Sequence, residues 1–254
     1  DRHAGSVSLP VREAWQILFN DIYVQVPKTA GILPTYRPKM GENSGRTKTN
    51  YSNKQLLLVW QNLLNAPDLR RDALRIDVIS VGRQLLGNYF LTVKNEFDRM
   101  YQTKDLAALD MRASEMRELL ADIDKLTSYH DYTSLSKWIS DARGLSQDPV
   151  IQDYYERNAR NLVTTWGGTL NDYASRTWSG LISDYYSVRW NMYIDAVLHA
   201  VESKSEFNQK ALDDAIKQFE DHWVSSNKKV ERKVEGGLMN YAHFLLDKYK
   251  TRLE

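Results

Sequence analysis

Residues able to do chemistry concentrate between Tyr154 and Trp190. This stretch holds Tyr154, Tyr155, Trp166, Tyr173, Trp178, Tyr185, Tyr186 and Trp190, interleaved with Arg157, Arg160, Arg176 and Arg189. Tyrosine and tryptophan join an apolar ring to a polar tip, which suits two tasks. They build a helical core in which each hydroxyl or indole N–H finds a partner. They also stack on the apolar face of a sugar while nearby amides and carboxylates take its hydroxyls. Helical spacing assigns Trp178 and Tyr185 to a core. Trp166 differs because it precedes Gly167-Gly168, where the chain must leave a helix, and function concentrates at such breaks. Asn171 or Asp172 is then placed to cap a following helix.

Other chemistries find little support. His3, His130, His199, His222 and His243 never fall within four residues of one another, so no His-Glu-x-x-His or paired Glu-x-x-His pattern exists. No metal and no cofactor is expected. The absence of cysteine excludes a thiolate zinc site, a cysteine nucleophile and a disulfide scaffold. Gly167-Gly168 and Gly236-Gly237 open no phosphate-binding pattern after a strand and read as helix breaks. No Gly-x-Ser-x-Gly elbow is present. Among 33 acidic residues, pairs such as Asp213-Asp214 sit beside Lys and Gln on a helical pattern, the look of a solvated face. No catalytic pair can be picked out among them.

The elements that must carry the aromatic stretch read as helices throughout. Ser8-Leu9-Pro10 opens a short helix with the stripe Val11, Trp15, Leu18 and Ile22. Val26 to Asn50 loses all periodicity and reads as a long irregular loop. Ser52-Asn53-Lys54-Gln55 is a capping box, and Pro67 stops the helix that it starts. A long helix is expected over about Asp68–Tyr101, and another from Asp105. A short one carries Leu135, Trp138 and Ile139 and ends near Gly144. Asp148-Pro149 starts a helix running to Trp166, and the next spans Asn171 through Tyr185 with a bend near Ser187. Two more fill about Asn208–Ser225 and Gly237–Arg252. No strand alternation and no repeat signature appears. The expected fold is all-α, an antiparallel multi-helix bundle of about eight helices behind an irregular N-terminal segment.

Composition agrees. Six Pro and 12 Gly make 18 of 254 residues, about 7%, against roughly 12% in average usage. Lys+Arg numbers 34 and Asp+Glu 33, a net charge of +1 that lacks the footprint of a nucleic-acid binder. No apolar run is long enough for a membrane span. The chain begins at Asp1 with no signal segment after it, which reads as a piece of something longer. Asn50-Tyr51-Ser52 is a glycosylation sequon.

The aromatic stretch carries a family resemblance. Tyr155-Glu156-Arg157-Asn158-Ala159-Arg160, Thr165-Trp166-Gly167, Asp172-Tyr173-Ala174, Gly180-Leu181 and Tyr185-Tyr186-Ser187-Val188-Arg189-Trp190 resemble the C-terminal domain of alpha-N-acetylglucosaminidases, glycoside hydrolase family 89. Arg37-Pro38, Trp60-Gln61-Asn62-Leu63-Leu64, and Arg75-Ile76-Asp77-Val78 through Arg83-Gln84-Leu85 extend the likeness over nearly the whole chain. The resemblance implies a three-part enzyme with a (β/α)8 barrel. There two carboxylates release terminal α-linked N-acetylglucosamine by a retaining reaction. Residues 1–50 would then lie at the seam with that barrel, and residues 51–254 would form the helical domain that braces it. Trp166, Tyr173 and Leu170 are the implied substrate contacts. A secreted, periplasmic or lysosomal setting is implied with them. Two features depart from the family pattern: the turn after Trp166 is shorter, and Val188 stands where relatives often have Pro, so the helix should continue through it. The alternative is a stand-alone helical interaction module whose aromatic cluster is simply its core.

Overall fold

The computed structural model describes residues 7–24, 31–41, 49–66, 71–168, 171–227, 230, 234 and 236–254. Local capping sets most boundaries. Ser8 accepts from Val11 N and Pro10 sits in the first turn, giving α1 over Leu9–Ile17, which loosens into a π-turn over Leu18–Tyr23. The capping box closes in both directions, with Gln55 N donating to Ser52 Oγ and Ser52 N to Gln55 Oε1, and opens α2 over Asn53–Leu64. Helix α3 covers Asp72–Thr103. Lys104 turns left-handed at φ 56° to end it, and Asp105 at once caps α4, Leu106–Thr127. So short a connection folds α4 back along α3 as an antiparallel hairpin. Then come α5 (Leu135–Arg143), α6 (Pro149–Leu162), α7 (Ser187–Glu202), α8 (Gln209–Ser225) and α9 (Leu238–Leu253). Among the described residues the one β-type pairing is an isolated bridge between Ser134 and Ser179.

The α2–α3–α4 layer holds the centre of the core. Trp60 is wholly buried, with its indole donating to Val78 O at 3.0 Å, so its polar edge is satisfied within the apolar interior. Phe90 meets Trp190 edge to face with centroids 4.9 Å apart, which ties α3 to α7. At Gly87 a Cβ would stand 2.6 Å from Ile32, so only glycine lets the N-terminal segment lie against α3. Pro67 and residues 68–70 fall outside the described set, and the long helix starts at Asp72 behind Arg71.

Three expectations change. The segment read as one long loop is packed where it is described: Ile32, Leu33, Pro34 and Thr35 are buried, with a turn of 3-10 helix over Leu33–Thr35. Helix α6 ends at Leu162 instead of reaching Trp166. The β-branched run Val163, Thr164, Thr165 follows, and such residues lose side-chain freedom in a helix. No helix starts at Asn171. Residues 171–174 make turns, and the helical backbone resumes only at Leu181, through a π-turn over Ile182–Tyr186 that passes into α7. That helix continues through Val188, as expected.

Candidate functional site

The turn after α6 is built from side-chain bonds. Asn161 Oδ1 accepts from Thr165 Oγ1 at 2.7 Å and from Gly167 N at 2.8 Å, while Gly168 N donates to Thr165 O at 2.8 Å. Trp166, Gly167 and Gly168 follow one another at φ 45°, 75° and 90°. Left-handed backbone is free for glycine and costs an ordinary L-residue about 1–2 kcal/mol. A tryptophan held there is a strained position, and strain of this kind gathers at functional sites.

Tyr173 arrives on a second turn. Asp172, also left-handed at φ 62°, donates its N–H to Thr164 O at 2.8 Å, which ties this turn to the end of α6. The two aromatic rings meet edge to face with centroids 5.5 Å apart. Tyr173 is 69% exposed and Trp166 is half-buried. Together they form a small aromatic platform at the surface.

Beneath it lies a buried ionic cluster. Arg189 Nη1 donates to both oxygens of Asp172, at 2.9 and 3.2 Å, and to Glu220 Oε1 at 3.0 Å. Its Nη2 donates to Thr35 O at 3.2 Å. Arg37 reaches Glu220 from the N-terminal segment, its Nε at 3.1 Å from Oε1 and its Nη2 paired with Oε2. Trp190 donates to Pro34 O at 3.0 Å. Asn171 joins in when its amide is oriented with oxygen toward Arg37 and nitrogen toward Thr165 O. Two arginines and two carboxylates leave the cluster neutral.

Burial draws the Arg189 guanidinium down, but Asp172, Tyr185 and Glu220 outweigh it and hold its pKa above the ordinary arginine value. Arg189 also lies over the rings of Tyr185 and Tyr186, at 4.9 and 5.2 Å. Burial, the largest influence on Asp172, pushes its carboxyl up against the pull of Arg189. Both phenols, Tyr185 and Tyr186, are pushed well above their usual value by burial. With Asp172 and Glu220 buried and engaged by arginine, the cluster is committed to holding its own turns and helices together and not to acid–base work. Among the described residues no group of three or more His, Cys, Asp or Glu is placed to hold a metal.

Trp166 and Tyr173 are therefore brought together, whereas Leu170 lies outside the described residues. Tyr185 is core, fully buried, and Trp178 is half-buried beside Trp138 at 5.8 Å. Asp172 caps no helix, because Arg189 claims its carboxylate. Glu220 was missed by motif reasoning. Its signal is its register: on α8 it falls in line with Leu212, Ile216 and Trp223, all buried, and a carboxylate on a core stripe implies a buried cation.

Comparison with known proteins adds family relationships. Residues 1–248 match the family model described as the alpha-N-acetylglucosaminidase C-terminal domain. Human alpha-N-acetylglucosaminidase is 28% identical over 249 residues, covering 94% of this chain and 33% of that protein. A family 89 glycoside hydrolase from Clostridium perfringens, solved with 2-acetamido-1,2-dideoxynojirmycin, superposes with a TM-score of 0.86 at 24% identity, covering 98% of this chain and 30% of that one. The Clostridium perfringens enzyme in complex with its substrate GlcNAc-α-1,4-galactose gives a TM-score of 0.86 at 22% identity, over 99% and 31% of the two chains. These structures share the fold. The chain spans about a third of the length of each relative.

Proposed function

The chain belongs to the alpha-N-acetylglucosaminidase C-terminal domain family, and from that premise we propose that it is the helical domain of a retaining glycosidase acting on terminal α-linked N-acetylglucosamine. Its Trp166–Tyr173 platform lines the sugar pocket. The catalytic carboxylates belong to a (β/α)8 barrel that the domain braces, with residues 1–50 at the seam, and the enzyme works in a secreted, periplasmic or lysosomal setting. The observation that carries the reading is the edge-to-face pair at the surface, with Trp166 itself left-handed, Tyr173 following left-handed Asp172, and a neutral ionic cluster behind them. A sugar ring offers apolar C–H faces and hydroxyls, which suit aromatic ring faces and a phenol hydroxyl. An isolated interaction module would have no need to hold Trp166 in strained backbone at the surface.

The test separates domain from enzyme. The purified chain should not cleave para-nitrophenyl α-N-acetylglucosaminide. Added to a separately produced barrel, it should restore turnover. Cleavage by the chain alone would show that the chemistry lies within it and overturn the division of labour.

A further inference from the structure

We infer that Asp172 is a positioning residue: gripped by Arg189, it sets Tyr173 against Trp166. The inference rests on the reading of those rings as sugar contacts and extends it to the groups that hold them. Tyr173 is 69% exposed and, among the described residues, its ring meets Trp166, so its position depends on the backbone that carries it. That backbone turns on Asp172 at φ 62°, a conformation the chain must be held in.

The anchors are few and specific. Asp172 N donates to Thr164 O at 2.8 Å, fixing the turn to the end of α6 two residues before Trp166. The Asp172 carboxylate takes two bonds from Arg189 Nη1. Arg189 is wholly buried on α7 and is itself fixed by Glu220 on α8 and by the carbonyl of Thr35. One side chain thus joins the Tyr173 turn to α7, α8 and the N-terminal segment. Contact residues need supporting groups of this kind, since displacement of about an ångström loses productive geometry.

A purely stabilising ion pair would have its own signature: a lower melting temperature with unchanged handling of substrate by the molecules that remain folded. Asp172→Asn separates the two. Asparagine accepts left-handed backbone as readily as aspartate, so the substitution removes the charge and little else. The cycle uses the long enzyme containing this chain and compares the parent, Asp172→Asn, Tyr173→Ala and the double variant, with para-nitrophenyl α-N-acetylglucosaminide as substrate. Asp172→Asn should lower kcat/KM about tenfold, mainly through KM, a loss of about 1.4 kcal/mol. In the Tyr173→Ala background the same change should cost less than twofold, because the residue acts through the ring already removed. A crystal structure of the Asp172→Asn enzyme should show the rings no longer 5.5 Å apart. Arg189→Lys keeps the cation but loses the guanidinium geometry, and carries the same cycle if Asp172→Asn folds poorly.

Equal losses in both backgrounds, or rings unmoved in the variant crystal, would overturn the positioning role. If Tyr173→Ala alone leaves kinetics unchanged, the sugar-contact reading fails instead, and the ring geometry still decides whether Asp172 positions Tyr173.

Discussion

Replacing Glu220 by Gln keeps the side-chain volume and removes one of the two negative charges that balance Arg37 and Arg189. Glu220 is 1% exposed and accepts from both arginines, so water cannot take over its role. Removing one partner of a buried ionic group costs about 3–5 kcal/mol, because a charge is left uncompensated in the interior. Here the lower end applies: Asp172 still faces Arg189, and the Arg37 side chain, 31% exposed, can turn to solvent. A loss of about 3 kcal/mol at this chain length lowers the melting temperature by roughly 6–12 °C. The control is Asp214→Asn, whose partner Lys210 lies 84% exposed, a solvated surface pair that adds little to stability. Denaturant unfolding followed by far-ultraviolet circular dichroism measures both. If Glu220→Gln costs less than about 1 kcal/mol, or no more than the control, the cluster does not organise this part of the fold.

Two further outcomes follow from the same reasoning. Tyr185, Tyr186 and Tyr193 are fully buried, and burial holds each phenol above its ordinary value of 10.0. Their stabilising effect is complete below pH 10 and is lost above it at about 1.4 kcal/mol per pH unit for each group. Phenolate absorbance should show them silent until the fold gives way, with denaturant midpoints falling steeply between about pH 10 and 11; ionisation within the intact fold near pH 10 would contradict this. Ser52→Ala opens the capping box of α2 and should cost about 0.5–2 kcal/mol in the same unfolding assay, and an unchanged midpoint would mean that tertiary packing alone holds that helix end.

Helix starts were the most legible feature of the sequence, because a cap is a local device. Ser8, Ser52, Asp105, Asp148 and Asn208 each do at the start of a helix what a residue of that type does there. The stretch from Val163 to Gly180 was misread for the same reason. Asn171-Asp172 before an apolar periodicity has the form of an N-cap, but an arginine 17 residues further on takes the carboxylate and leaves the backbone in turns. Local pattern cannot report a partner so placed. Trp166 stood out because a glycine pair follows it and marks a break, whereas Tyr173 entered through the family resemblance. The cluster beneath was only half legible: Asp172, Arg189 and Arg37 lay in recognisable motifs, while Glu220, 183 positions from Arg37, showed itself only as a charge on a buried stripe. The same rule identifies Lys94, Asp98, Glu115 and Asp122, charges on the core-facing sides of α3 and α4 that all find partners.

The central claim is that Trp166 meets substrate and does not hold the domain together. The direct measurement is Trp166→Ala in the long enzyme, with kcat/KM for para-nitrophenyl α-N-acetylglucosaminide and melting temperature taken on the same preparation. Replacing a half-buried residue in strained backbone should leave the melting temperature within a few degrees of the parent, while kcat/KM falls about 10- to 100-fold, or roughly 1.4–2.7 kcal/mol of transition-state binding. Unchanged kinetics, or a domain that no longer folds, would contradict it.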